Sequence, residues 1–221
     1  MKDLELIYHK LYSHFGPQCW WPAKSRFEVI VGAILTQNTN WQNVEKAIIN
    51  LKRAKALNAQ KLYSMPKEKI ARLIQPSGFF NIKSVRLKEF LRFFFENYNG
   101  DIRRLVKQDG LILRKELLLV KGIGPETADS IILYALDKPV FVVDAYTRRV
   151  FSRHKIITQD AGYDEVQNLF SKKLKNEVKL FNEYHALIVR LAKVYCLKNN
   201  PKCDLCPIKN RRDQAASNLK D

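Results

Sequence analysis

The chain has 221 residues and a formal net charge of +17 at pH 7, with 46% hydrophobic and 28% charged residues. These values are typical of a folded globular protein of one large or two small domains and do not indicate disorder. The positive charge suits a polyanionic partner such as nucleic acid. No apolar run approaches transmembrane length and residues 1–5 lack a signal-peptide core, so the sequence predicts a cytoplasmic protein without a membrane partner.

Helical periodicity dominates the pattern of apolar residues. One apolar stripe runs from Leu4 to Tyr12 and another from Phe27 to Leu35, each at the spacing of a helix face. Few segments alternate as strands do. Further helices are predicted, in chain order, over residues 44–54, 67–75, 82–98, 110–120, 126–136, 145–153, 163–174 and 181–195, with turn residues between them. The sequence therefore predicts an all-α fold.

A Gly-x-Gly turn lies between the apolar helix end at residues 118–120 and a new helix that Pro125 opens. Gly122 and Gly124 let backbone N–H groups approach a phosphate closely, and proline is favoured at the first position of a helix. Such turns also join helices in many proteins that bind no DNA. Together with the net charge, this turn predicts a DNA-binding hairpin to which Lys121 adds a phosphate contact.

Asp144 follows the apolar run of residues 140–143 and precedes the predicted helix that starts at Ala145. A carboxylate at this place could act on DNA that the hairpin holds. Aspartate is also a preferred N-cap residue, and the two roles are compatible. Asp144 is the candidate catalytic residue.

The hairpin, its apolar lead-in and Asp144 together resemble the helix-hairpin-helix DNA glycosylases of the endonuclease III superfamily, and the match covers nearly the whole chain. Residues 35–39 are similar to the family's loop whose glutamine enters the DNA stack, and residues 78–83 to its second intercalating loop. The resemblance implies that Gln37 and Phe79 fill the gap that a flipped nucleotide leaves. An exposed loop residue and a core residue, respectively, are the alternatives for these two positions.

The resemblance also implies a domain arrangement. Residues 19–137 would form a six-helix barrel that contains the hairpin, and residues 1–18 with 138–221 would form a second helical lobe. The DNA-binding cleft would lie between the lobes. The implied partner is double-stranded DNA with a damaged base, bound by a monomer that uses water as its cosubstrate and is associated with the nucleoid through DNA.

Glu126 indicates which kind of glycosylase the chain resembles. Bifunctional members of the family carry a lysine at this position, whose amine forms a Schiff base with the sugar, and a carboxylate cannot form one. Glu126, with Trp20 and Trp21 ahead of the helix at 27–35 and Trp41 after it, is similar to the endonuclease III-like 3-methyladenine DNA glycosylases. The implied base pocket comprises these four residues, although tryptophans in helical proteins are more often part of the core.

Three cysteines lie close together near the C-terminus, and their spacing repeats the first three ligands of the family's iron–sulfur loop. Cys196, Cys203 and Cys206 are these three, and Arg212 occupies the position of the fourth ligand. Thiolates hold such [4Fe-4S] clusters and arginine cannot replace one. An incomplete cluster, a zinc ion or plain structural thiols are the alternatives, and the chemistry requires none of them.

The sequence thus predicts a monofunctional DNA glycosylase of base excision repair that flips and hydrolytically removes a damaged base, an N-alkylated purine such as 3-methyladenine. Two alternatives stay open. One is a bifunctional glycosylase and abasic-site lyase acting on oxidised pyrimidines, and the other is a non-catalytic helix-hairpin-helix DNA-binding protein. The pattern does not select the damaged base or define the breadth of substrates.

Overall fold

The computed structural model describes residues 4–21 and 23–209, and the regular structure in these ranges is entirely helical. The predicted all-α fold is confirmed. A 3-10 turn lies at Gln75–Ser77, another at Cys203–Leu205, and a π-helical turn at Ile131–Ala135. The α-helices of the described part are α1 Leu4–Phe15, α2 Arg26–Thr36, α3 Trp41–Arg53, α4 Ala59–Ser64, α5 Lys67–Leu73, α6 Phe80–Tyr98, α7 Ile102–Lys107, α8 Gly110–Leu119, α9 Pro125–Ser130, α10 Ala145–Arg153, α11 Tyr163–Lys173 and α12 Val178–Val194.

Short polar side chains fix where many of these helices begin. Each accepts a hydrogen bond from a backbone N–H two or three residues ahead, which satisfies a donor that the first helical turn leaves open. Loss of such a cap typically costs about 1 kcal/mol of stability. The capping residues of α2, α3, α4, α7 and α8 are Ser25, Asn40, Asn58, Asp101 and Asp109.

The long periodic helices lie where the sequence predicts them, and α10 has the predicted bounds. Two helices, α4 and α7, were not predicted. Each has six residues, which is too short for an apolar period to be visible, and only the cap residue marks its start. The predicted helix over 126–136 is α9 followed by the π-helical turn.

Residues Trp21–Pro139 form one of two compact units. Helix α2 lies in its core, with residues 28–35 buried, and packs on α3, on α6, on α9 and on the π-helical turn. An ion pair braces the two helices of the hairpin: Nε of Arg114 on α8 lies 2.7 Å from Oδ1 of Asp129 on α9, and the Asp129 side chain is fully buried. The hairpin is therefore anchored in the core of this unit.

The other unit comprises residues Met1–Trp20 and Val140–Asp221. Helices α1 and α10 both pack on α12, and the Tyr184 hydroxyl donates to the Leu4 carbonyl over 2.9 Å. The rings of Phe141 and Phe170 stack at 3.9 Å between centroids. These contacts join the first helix of the chain to its last and place the segment before Asp144 in a buried aromatic core. None of the described helices has the length and apolar character needed to cross a membrane.

Candidate active site

Asp144 caps helix α10 at the end of a buried, extended segment. The side chains of Phe141, Val142 and Val143 are buried, and the backbone N–H of Val143 donates to the Tyr163 hydroxyl over 3.3 Å. Oδ1 of Asp144 accepts the backbone N–H of Thr147 over 2.7 Å. The N-cap role that the sequence allowed is thus observed, and it fixes one oxygen of the carboxylate.

The other carboxylate oxygen faces an imidazole. Nε2 of His185, on α12, lies 3.4 Å from Oδ2 of Asp144, and only 8% of the His185 side chain and 12% of the Asp144 side chain are exposed. Burial raises the pKa of Asp144, but His185 and the hydrogen bonds from Thr147 outweigh it, so the pKa lies below the usual value for aspartate. Asp144 is therefore ionised at neutral pH.

His185 was not identified from the sequence. It lies among apolar residues on the buried face of α12, where a polar side chain needs a partner, and that isolated polar position was the available signal. The partner itself comes from another helix, so periodicity could not reveal it.

The two glycines of the hairpin have different conformations. Gly122 has φ +90°, and a Cβ placed there would lie 2.4 Å from Cγ of Arg86, so this position requires glycine. Gly124 has φ −96°, and no atom lies within 4 Å of a Cβ placed there. The fold thus requires glycine only at position 122. At position 124 the backbone at the start of α9 has free space beside it. Lys121 is exposed beside them.

Gln37, at the C-terminal end of α2, is hydrogen bonded to the hairpin. Its Nε2 donates to the Gly122 carbonyl over 3.0 Å and to the Thr127 hydroxyl over 2.9 Å, and its Oε1 accepts from Arg86 over 2.5 Å. Its side chain is half-buried, in contrast to the exposed loop residue that the sequence left as an alternative. The loop after α2 and the hairpin are therefore one connected surface.

Phe79 is 64% exposed, so the alternative of a core residue is wrong. Its backbone is left-handed, with φ +45°, directly before α6. The buried Lys83 supports this loop, because its Nζ donates to the carbonyls of Ser77 over 2.6 Å and Leu35 over 2.8 Å. One ammonium thus connects the loop that carries Phe79 with the end of α2.

Two of the predicted pocket tryptophans contact each other. The rings of Trp21 and Trp41 lie 5.0 Å apart between centroids at 85°, and Tyr134 lies 5.2 Å from Trp21. Perpendicular rings in contact leave no slot for a flat base between them, so this cluster offers an outer aromatic face rather than a sandwich. Trp20 belongs to the other unit and is half-buried.

Glu126 lies in the first turn of α9, directly after the hairpin, and is exposed. No lysine occurs anywhere in α9, so the helix that follows the hairpin offers no amine.

Comparison with known proteins decides the family. Residues 31–176 match the HhH-GPD superfamily of base excision DNA repair proteins. The chain belongs to this superfamily. A relative from Methanocaldococcus jannaschii, provisionally named a DNA repair glycosylase, is 51% identical over 92% of each chain. Endonuclease III of Thermotoga maritima is 28% identical over 83% of this chain and 81% of its own length.

Solved structures of HhH-GPD proteins have the same fold. The 3-methyladenine DNA glycosylase of H. pylori, crystallised with 1,N6-ethenoadenine, has a TM-score of 0.76 and 31% identity, covering 87% of this chain and 98% of its own. An endonuclease III–DNA complex has a TM-score of 0.82 and 20% identity, covering 99% and 100% of the two chains. This HhH-GPD protein is thus a DNA glycosylase of endonuclease III-like fold.

The cysteine loop of this HhH-GPD protein contains three thiols and a nearby imidazole. Cys196 is buried at the end of α12, and Sγ of Cys206 lies 3.9 Å from Nε2 of His154. Burial, the largest effect, and the neighbouring thiols of Cys196 and Cys203 raise the pKa of Cys206. The Cys206 thiol is therefore protonated at neutral pH.

These residues do not fit a four-cysteine cluster. Within residues 4–21 and 23–209, no group of three or more His, Cys, Asp or Glu side chains is arranged to hold a metal ion. Arg212, in the place of the fourth ligand, lies outside the described residues. The loop is held instead by Arg153, which donates to the carbonyls of Leu197 and Lys198 over 2.6 and 2.8 Å.

Proposed function

We propose that this protein is a monofunctional DNA glycosylase that hydrolyses the bond between a damaged base and its sugar and leaves the DNA strand intact. The observation that carries the proposal is Glu126, in the first turn after the hairpin, where the resemblance expects the lyase lysine. A carboxylate cannot form an imine with the sugar. Water is then the nucleophile, and Asp144 is the side chain that accepts its proton.

The proposed reaction uses the ionised state of Asp144. As the bond between C1′ and the base nitrogen breaks, its electron pair leaves with the base and positive charge develops on the sugar. The carboxylate stabilises this charge, and the oxygen of a water molecule forms the new bond to C1′ while its proton passes to Asp144. A pKa below the usual range keeps the carboxylate charged for the first step.

The proposed substrate is an N-alkylated purine such as 3-methyladenine. Such a base carries positive charge, so it leaves without prior protonation and is attracted to aromatic faces by about 1–2 kcal/mol each when desolvated. The cluster of Trp21, Trp41 and Tyr134 supplies such a face. The 31% identical glycosylase from H. pylori is named for 3-methyladenine, which supports the same substrate class.

DNA binding is assigned to the hairpin and to two loops of residues 21–139. Gly122, Gly124 and Lys121 contact phosphates, which positions the DNA without reading its sequence. Phe79 enters the stack when the nucleotide leaves the duplex, a step that costs a few kcal/mol of unstacking. Gln37 takes the other intercalating position.

Chromatography of the bases released from duplex DNA tests this function. Wild type and Asp144→Asn are incubated with methylated DNA and, in parallel, with duplexes that carry uracil or thymine opposite guanine. Release of 3-methyladenine by wild type, with a loss of about 100-fold or more in Asp144→Asn, supports the proposal. Release of uracil or thymine alone would retain the hydrolytic mechanism and overturn the substrate class.

Borohydride trapping tests the absence of lyase chemistry. Wild-type protein is incubated with DNA that contains an abasic site in the presence of the reductant. A covalent protein–DNA adduct would overturn the monofunctional assignment and favour the bifunctional alternative. Salt-sensitive DNA binding with no base released from any of these duplexes would favour a non-catalytic DNA-binding protein.

A further inference from the structure

The carboxylate of Asp144 has a defined neighbour at each oxygen. Oδ1 accepts the Thr147 N–H over 2.7 Å, and Oδ2 lies 3.4 Å from Nε2 of His185. Both side chains are almost buried, at 12% and 8% exposure. The hydrogen bond fixes one carboxylate oxygen and the imidazole faces the other, and a charge that is fixed in place is the preorganisation that charge stabilisation requires.

The surroundings of His185 favour this role over simple core packing. The residues that follow it on α12, Ala186, Leu187 and Ile188, are buried and apolar, so the helix could place any aliphatic side chain there. Burial of a polar group without a partner costs about 1–3 kcal/mol, so a histidine at such a place is expected to serve a polar neighbour. That neighbour is the carboxylate proposed to be catalytic.

Three other ionisable groups on the helices packed against α12 or near Asp144 have partners of their own. Burial and the charge of Glu183 raise the pKa of Tyr8 on α1, and Glu183 lies on a different face of α12 from His185. On α10, Arg149 donates to the carbonyls of Cys196 and Ala192, and Arg148 to that of Ala161. His185 is the ionisable side chain that lies beside Asp144 and lowers its pKa.

We infer that His185 is a positioning residue for Asp144: with a proton on Nε2 it donates to Oδ2, fixes the carboxylate and keeps it ionised. This inference rests on the proposed catalytic role of Asp144. It goes beyond that role because it assigns a second residue, on another helix, to the control of the same charge. His185 itself touches neither the sugar nor the base in this scheme.

The test compares His185→Leu, which removes the donor, with His185→Gln, which restores an uncharged N–H donor. Ile188→Val, on the same buried face, controls for altered packing of α12. Single-turnover base release is measured across pH, with binding to abasic-site DNA and thermal unfolding in parallel. The substrate is duplex DNA that carries the damaged base released by wild type.

For His185→Leu we expect a rate loss of about 10- to 100-fold at neutral pH with DNA affinity changed less than twofold. The acid limb of the rate profile should move to higher pH, because burial without the imidazole raises the pKa of Asp144. His185→Gln should recover part of the rate. An unchanged rate and profile in His185→Leu, with lower thermal stability alone, would overturn the inference.

A measurement without turnover separates this inference from the proposed function. The pKa of Asp144 is followed by carboxyl-carbon NMR in wild type and in His185→Leu. A higher pKa in the variant supports the inference even if wild type releases no base from any duplex tested. An equal pKa in the two proteins would overturn it, whatever the activity of wild type.

Discussion

The substitution Lys83→Met should change how stability depends on pH. Lys83 is 1% exposed, and its Nζ donates to the carbonyls of Leu35 and Ser77. Burial, with a smaller contribution from the charge of Arg86, lowers its pKa from 10.5 to about 8. Both carbonyl contacts survive deprotonation, because a neutral amine retains two N–H donors.

The sign and size of the effect follow from linkage. Between pH 8 and 10.5 the unfolded chain binds a proton at Lys83 that the folded chain has lost, so the free energy of unfolding rises with pH across this window. A Lys83 pKa of about 8 in place of 10.5 corresponds to about 3 kcal/mol in the free energy of unfolding. The added free energy of unfolding is fully present above pH 10.5 and absent below pH 8.

Urea unfolding of wild type and Lys83→Met at several pH values between 7 and 10.5 measures the effect. The stability difference between the two proteins should grow by about 3 kcal/mol over this range, because titrations common to both cancel. Lys46→Met, an exposed position on α3, should give a difference that is flat with pH. A flat difference for Lys83→Met as well would refute the assignment of a neutralised, buried amine.

Further predictions concern the hairpin, the loop that carries Phe79 and the cysteine loop. Gly122→Ala should lower stability by at least about 1 kcal/mol, whereas Gly124→Ala should keep the melting temperature and weaken DNA binding; equal loss of stability in both would contradict the conformational distinction. Arg114→Met should cost about 3–5 kcal/mol in unfolding, because the fully buried Asp129 loses its ion pair with Arg114, and a loss below about 1 kcal/mol would show that this ion pair does not brace the hairpin. Phe79→Ala should leave stability unchanged and weaken binding to abasic-site DNA by about 1–3 kcal/mol, measured by titration; unchanged affinity would remove Phe79 from the DNA interface. Protein purified anaerobically should contain no stoichiometric iron, and about four irons per chain would show that another ligand completes a cluster.

Local patterns of the sequence were enough to predict the long helices and the N-cap at Asp144. Helix α10 was predicted with its observed bounds because an N-cap residue and an apolar period mark it together. The role of Lys83 was not predictable in the same way. Its amine meets a carbonyl 48 residues away, and a lysine in a helical pattern is normally assigned to the solvent face.

The geometry of the aromatic cluster also lay beyond the sequence. The resemblance implied that the tryptophans on either side of α2 line a base pocket, and α2 and α3 pack so that Trp41 meets Trp21 edge to face. Gly32 contributes to this arrangement, since a Cβ placed there would lie 3.2 Å from the Trp21 ring. Ring orientation depends on the packing of two helices, and spacing along the chain carries no information about it.

The contacts of Gln37 couple the two kinds of DNA contact proposed for residues 21–139. Its side chain bonds to Gly122 and Thr127 of the hairpin and to Arg86 of α6, across 85, 90 and 49 residues. A glutamine that enters the DNA stack must exchange these three hydrogen bonds for new ones. Its intercalation therefore gains less free energy than that of a side chain without such bonds. The hairpin loses a brace in the same step. In the proposed complex, phosphate binding by the hairpin and filling of the vacated stack are therefore linked through Gln37.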